Sequence, residues 1–427
     1  MARGGVDAFV FRIAELIAQV ALVLITARLM EPAGRGLYAL ASLTAMLCSL
    51  PLGSVWSAAA IELAKRRTSL PELLGACGVI AAVGGLVTAL AGFAVAALLG
   101  DRWWVVALPA AAAPLILCAR YGEGLYQSLG HVRAVNWITL GRVLLPLLFI
   151  TPPLLAGASV RTAIEVWTLW FLVLPVLVYF PLRRLAGGQR LPAEHALYRR
   201  LVTTGGKLSV ANFALTMSTR IALIALAVFA DDAAVGVFSV AVAAGDALFL
   251  TTNALASSSF LGIASRAREE SAALTARAIR HAILLALVLG ALLVPGVVVL
   301  LPMIVGEGYG DVPALLGIML PGVLGLSGFW MLHTFFTVQV ARPAIVTRIA
   351  LLTMGAGLLA CLALVPLMGL WGAALATTAA NLLAAGLSFR RFHQIAGVRL
   401  RELRPGRAEL RDYKTLLRTT VAARARS

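Results

Sequence analysis

Apolar residues fall in long blocks along this chain, and the charged residues gather between the blocks. A helix crosses a bilayer in ~20 apolar residues. The blocks predict membrane helices at residues 8–29, 37–61, 73–99, 104–128, 135–155, 163–182, 206–229, 235–262, 278–301, 312–340, 345–366 and 371–389. The first block follows MARGGVDAF directly and lacks a small-residue cleavage site, which predicts a retained span rather than a signal peptide. Pro51, Pro109, Pro114, Pro146, Pro175, Pro295 and Pro321 lie within these spans. Such kinks are tolerated in membrane helices because neighbouring helices re-satisfy the freed backbone groups.

Composition agrees with the pattern. Hydrophobic residues make up 61% of the chain and charged residues 13%, whereas soluble domains run at about 45–50% and about 25%. The expected fold class is therefore an all-α integral membrane protein of about twelve helices.

The net charge of +17 is explained by topology rather than by nucleic acid, because a nucleic-acid surface needs a folded basic face. With the N-terminus inside, inner segments carry 29 of the 36 basic residues, and outer loops receive only Arg28, Arg35, Arg102 and Arg161. This bias predicts a multi-pass membrane protein with both termini cytoplasmic. The segment 183–205, rich in Gly, Pro and Arg, divides the spans into an N-terminal lobe, 1–182, and a C-terminal lobe, 206–389. A basic tail, 390–427, is expected to lie on anionic membrane lipids. Six helices per lobe start both lobes on the same side, so a duplication would relate them by a pseudo-twofold axis along the membrane normal. A weak repeat fits this: GLYALASL from Gly36 against GVFSVAVA from Gly236, and LGHVRAV from Leu129 against VARPAIV from Val340.

Charges at the centre of a span cost ~2.5–3.5 kcal/mol, so those that persist there face protein or a water-filled cavity. In the first span Arg12, Glu15 and Gln19 share one face at i, i+3, i+7; in the seventh Asn212, Thr216 and Arg220 do so at i, i+4, i+8. Ser239, Asp246, Asn253 and Ser257 form a stripe in the eighth, and Ser42, Ser49 and Ser57 a milder one in the second. Counted from the turn near Asp232, Arg220 and Asp246 lie at similar depth on adjacent antiparallel helices and can pair. The pair has two readings: a carboxylate that titrates or exchanges its partner while Arg220 alternates between it and an anionic substrate, or a permanent structural bridge. Arg120 and Glu123 have the spacing of a local pair, with Gln127 a turn further on and Arg142 about two turns into the fifth span. Several arginines near the inner mouth suit capture of an anionic lipid headgroup.

The segment ITARLMEPAGRGLYALASL, Ile25 to Leu43, resembles the first hairpin of the polysaccharide-biosynthesis flippases in the multidrug/oligosaccharidyl-lipid/polysaccharide exporter superfamily. LLPMIVGEGYGDVPALLGIMLPG, Leu300 to Gly322, is similar to the connection between the ninth and tenth helices of the same proteins. The resemblance implies two six-helix bundles around a cavity that opens alternately to either side and carries an undecaprenyl-pyrophosphate-linked oligosaccharide. The polar positions within the spans make Arg12, Glu15, Gln19, Arg120, Arg142, Asn212, Arg220, Asp246 and Asn253 the substrate-binding candidates. A structural reading stays open for Arg120, Glu123 and Arg142, because Arg12, Arg120 and Arg142 lie near enough to the cytoplasmic end to snorkel to the headgroups. The resemblance implies coupling to proton, sodium or membrane potential, no cofactor, and work alongside a polysaccharide polymerase and export machinery. Drug and cation antiporters of the superfamily also have twelve helices and stand as the alternative. Peptidoglycan-precursor flippases usually add two helices and several basic residues in the first helix.

Enzyme chemistry finds no home. Cys48, Cys77, Cys118 and Cys361 lack metal or disulfide spacing, the five His residues show none, and GEGYGD from Gly306 reads as an outer turn. A membrane glycosyltransferase or polymerase would need carboxylates or basic groups in a large outer loop, and the outer loops here are short.

Overall fold

The computed structural model describes residues 2–404 and 406, apart from 66–67, 99, 188–193 and 266; the side chains of 2–10, 12, 250–262 and 264–265 lie outside the description. The described residues form thirteen α-helices: α1 Ala2–Ser49, α2 Val55–Ala64, α3 Leu70–Ala96, α4 Trp103–Ala111, α5 Ala113–Ser128, α6 Val132–Leu155, α7 Val160–Thr168, α8 Trp170–Leu185, α9 His195–Phe229, α10 Asp232–Ser265, α11 Arg268–Val305, α12 Val312–Thr334 and α13 Pro343–Ala396. Among them run ten helical stretches long and apolar enough to cross a membrane. Two of the ten are divided. Glu31 interrupts α1 with φ 58°, and Gly369 interrupts α13 with φ 54°. At the second break the chain doubles back, since a Cβ on Gly372 would strike the Leu364 carbonyl. Counted with those breaks, the described residues hold twelve apolar segments, the number expected from the blocks.

Several helix ends have visible local causes. Ser69 and Glu72 make a capping box at the start of α3, with the Ser69 amide donating to Glu72 Oε2 at 3.2 Å. Ser159 caps α7 by accepting from the Thr162 amide at 3.2 Å. Pro114, in the first turn of α5, separates it from α4 at Ala112. The expected second span breaks at 50–54, around Pro51, and resumes as α2. Helix α9 begins at His195, inside the segment expected to be linker.

The chain divides into two compact units: residues 1–216, 226–240 and 304–309 in one, and 217–225, 241–303 and 310–427 in the other. Neither coincides with a six-helix half, because α9 and α10 contribute to both. The first unit has a buried core that includes Leu73, Leu117, Leu125, Tyr121, Ile150, Ile164 and Val178. Its helices approach closely over small residues: Gly85 faces the Pro114 backbone, Gly122 faces Val178 and Gly124 faces Trp56. In lipid, where hydrophobicity alone does not drive helices together, such close packing holds them. In the second unit α12 lies along α13, with Gly322 against the Thr378 backbone and Thr378 Oγ1 donating to the Ile318 carbonyl at 2.8 Å. Phe335 and Phe392 meet edge to face at 5.0 Å. Leu148, Leu155, Val176, Leu292, Met303, Leu359 and Leu367 are exposed, as a lipid-facing surface requires.

The turns at the second repeat match share a backbone feature. Gly130 has φ 76°, and Ala341, the second residue of its counterpart string, has φ 52°. In each case the next residue's amide reaches back across the turn, from His131 to the Tyr126 carbonyl and from Arg342 to the Phe336 carbonyl, both 3.0 Å.

Candidate functional site

The polar groups within the apolar segments form three separate arrangements. In the second unit, Arg220 Nη2 donates to Asp246 Oδ2 at 2.6 Å between α9 and α10. The helices are antiparallel across the turn at 230–231, whose Asp231 carboxylate accepts from the Ala234 amide at 2.7 Å. The pair is not sealed: the side chains of Arg220 and Asp246 are 23% and 46% exposed.

In the first unit, Arg142 of α6 pairs with Glu123 of α5. Arg120 Nη1 donates to Ser49 Oγ at 3.0 Å, just before the break at 50–54. The local Arg120–Glu123 pair expected from spacing therefore gives way to two bonds between helices. Both arginines remain within electrostatic reach of Glu123, and Glu15, which is buried, adds a second carboxylate there. Gln19 is half-buried on α1. The side chains of Arg12 and Asn253 lie outside the description.

The third arrangement closes the first unit at two places along the second apolar segment. At one end the backbones of Gly36 and Gly236 touch. A Cβ on Gly36 would strike the Asp232 carbonyl, and one on Gly236 would strike the Pro32 carbonyl. These glycines open the two strings of the sequence repeat. Arg102 Nη1 pairs with Asp232 Oδ1 beside them at 3.0 Å, and Tyr309 donates to the Ala27 carbonyl at 3.2 Å. Roughly 18 residues along the chain the closure is polar. Asn212 Nδ2 donates to Ser54 Oγ at 2.8 Å, and the Ser54 amide donates to Ser209 Oγ at 3.1 Å. Gly205 lies on the Val55 backbone, and Arg200 pairs with buried Glu62 at 3.4 Å. Between the two closures the fourteen helical residues 36–49 rise ~20 Å before the break at 50–54, so the closures are well separated along this segment.

The stripe expected on α9 is thus shared out: Asn212 bonds to Ser54, and Arg220 to Asp246. Gly36, Gly236, Ser54, Ser209 and Glu62 were not among the residues expected from sequence. The glycines had a signal as anchors of the repeat; Ser54 and Ser209 had none, because their role depends on which helices meet. Among the described residues no group of His, Cys, Asp and Glu could hold a metal ion.

These features define a polytopic helical membrane protein with charged groups inside its spans and two separate closures within its first unit. No family model matches the sequence, and no curated protein matches it. Solved structures share the fold. A multidrug-resistance MATE transporter of the MOP superfamily, in an inward-facing conformation, is similar with a TM-score of 0.65 at 14% identity, covering 91% of this chain and 94% of that one. The lipid II flippase MurJ, in an inward closed conformation, is similar at 0.64 and 10% identity, covering 93% and 90%. A MOP-superfamily transporter from Pyrococcus furiosus, described as having reversed binding-pocket polarity that suggests a different function, matches at 0.51 and 14%, covering 92% and 93%. The fold is the one these transporters share.

Proposed function

We propose that this protein flips an undecaprenyl-pyrophosphate-linked oligosaccharide across a bacterial inner membrane by alternating access, with both termini cytoplasmic. One observation carries the reading: the open Arg220–Asp246 pair within the apolar segments. An ion pair left partly exposed at membrane depth needs water around it, which a transport cavity supplies. A guanidinium presents a planar fork that fits a pyrophosphate oxygen pair as well as it fits a carboxylate. Arg220 can therefore exchange Asp246 for the substrate, and the freed carboxylate is then available to a proton or sodium ion. The isoprenoid tail stays in the bilayer while the headgroup crosses.

Arg220→Lys keeps the charge but loses the fork, and Asp246→Asn keeps the shape but loses the charge. Both are expected to cut transport at least tenfold at unchanged membrane abundance; full activity in both would show the pair to be structural. The substrate is tested by deleting the gene and measuring membrane lipid-linked oligosaccharides together with surface polysaccharide. The reading expects the lipid-linked precursor to accumulate while its surface polymer disappears. Unchanged lipids with reduced drug tolerance would replace it with the antiporter reading.

A further inference from the structure

Ser54, which both hydrogen bonds of the polar closure share, ends the break at 50–54, and one cation lies across that break. On one side Arg120 Nη1 donates to Ser49 Oγ at 3.0 Å. On the other, a Cβ on Gly53 would sit 3.2 Å from Arg120 Nε and 3.3 Å from its Cζ, so the guanidinium lies against the residue that precedes Ser54. Two further contacts tie α5 to the same stretch: Tyr121 Oη donates to the Leu52 carbonyl at 2.9 Å, and Gly124 packs on Trp56. Within the break the amides of Gly53 and Val55 reach back only three residues, to the Leu50 and Leu52 carbonyls. Such turns lack the continuous ladder of an α-helix, so contacts from outside decide where they hold Ser54.

The three contacts from α5 differ in how firmly they hold. Tyr121 and Gly124 are buried, whereas Arg120 is half-buried. Glu123 is taken by Arg142, and among the described residues no carboxylate forms an ion pair with Arg120. Its guanidinium is thus held by a neutral hydroxyl, which brings no counter-charge. A phosphate accepts two parallel N–H bonds from the guanidinium fork and supplies the charge as well. Arg142 lies within electrostatic reach of Arg120, so an anion arriving there answers two cations. Arg120 is therefore the one contact across the break that a phosphate can take away.

We propose that Arg120 couples anion capture to the polar closure: a phosphate group draws its guanidinium from Ser49, Gly53 is released, and the bonds of Ser54 to Asn212 and Ser209 part. The closure re-forms once the phosphate has left and the guanidinium has returned to Ser49, so that end shuts behind a departing headgroup and not upon it. The phosphate belongs either to the transported headgroup or to bulk anionic lipid, and only the first source rests on the proposed function.

In a background lacking Cys48, Cys77, Cys118 and Cys361, Ala58→Cys would report the closure, since Ala58 lies one turn beyond Ser54 on the same face of α2 and is 3% exposed. Ala163→Cys, in the buried core of the same unit, would report general loosening. A membrane-impermeant maleimide would be applied to the protein in nanodiscs, in sodium gluconate or sodium pyrophosphate at equal ionic strength, with zwitterionic lipid alone or with phosphatidylglycerol added. Pyrophosphate or phosphatidylglycerol is expected to speed labelling of Ala58→Cys at least about threefold, while Ala163→Cys stays unreactive. Arg120→Gln is expected to label as fast without the anion as the parent does with it, and to lose the response. If Arg120→Gln does not fold, Ser49→Ala, which removes only the acceptor, is expected to raise labelling in gluconate by a similar factor. A response to pyrophosphate assigns the phosphate to the headgroup, and a response to phosphatidylglycerol alone assigns it to bulk lipid. Labelling moved by neither anion, an undiminished response in Arg120→Gln, a Ser49→Ala variant as slow as the parent, or Ala163→Cys rising in step overturns the proposal. Precursor that accumulates on gene deletion while labelling never responds sinks this coupling alone; labelling that responds while lipid-linked oligosaccharides stay unchanged sinks the substrate reading alone.

Discussion

The two closures along the second apolar segment are built from different chemistry. At the Gly36 end, backbone meets backbone with no room for a single side-chain atom. At the Ser54 end, hydroxyls, an amide and an ion pair meet at ordinary bonding distances. A steric closure is nearly all-or-none, because packed backbone cannot yield by changing a rotamer. A polar closure is graded, since each hydrogen bond contributes only ~0.5–1.5 kcal/mol and can be exchanged for water when the end opens. Under alternating access, the first end sets whether the protein can close, and the second sets how readily it opens.

The comparison is broken most forcefully at the glycines. Gly36→Ala or Gly236→Ala places a methyl group on a carbonyl oxygen, and overpacking of this kind costs about 1–3 kcal/mol. Surface polymer is expected to fall roughly tenfold or more at equal membrane abundance, since 1.4 kcal/mol corresponds to about tenfold. Wild-type polymer in both variants would remove the steric closure from the account. At the other end, Asn212→Ala removes one bond of ~1 kcal/mol, expected to shift the closed population about fivefold. Combined with Ser54→Ala the losses should be less than additive, as for groups that share one bond; strictly additive losses would show that they do not act together. Arg200→Ala is expected to have the smallest effect, ~0.2–1 kcal/mol, because Arg200 is 46% exposed and its pair with Glu62 is screened. That effect should fade as ionic strength rises, which transport measured in low and high salt would check.

The membrane architecture was legible because lipid imposes long apolar blocks whatever the tertiary contacts. The breaks were less legible. Glu31 and Ala341 adopt left-handed backbone without being glycine, so packing rather than propensity holds them there. The sequence marked Gly36 and Gly236 as equivalent positions, but their mutual contact depends on which helices meet. Spacing suggested Arg120–Glu123, yet Glu123 is taken by Arg142 from the adjoining helix. Arg220 and Asp246 paired as expected because a short turn joins their helices and fixes their relative depth. Arg35 was placed by its position between blocks, and only folding reveals that it is buried.

The central claim, that the two ends open in turn, is tested most directly by thiol labelling from each side. In a background lacking Cys48, Cys77, Cys118 and Cys361, one cysteine would replace Ser239, buried near the Gly36 end, and in a separate variant Ser209, buried at the Ser54 end. A membrane-impermeant thiol reagent would be applied from each side, with and without lipid-linked oligosaccharide. The account predicts reciprocal reactivity, with any condition that raises labelling at one position lowering it at the other. Labelling that rises at both positions together, or responds to substrate at neither, would contradict it.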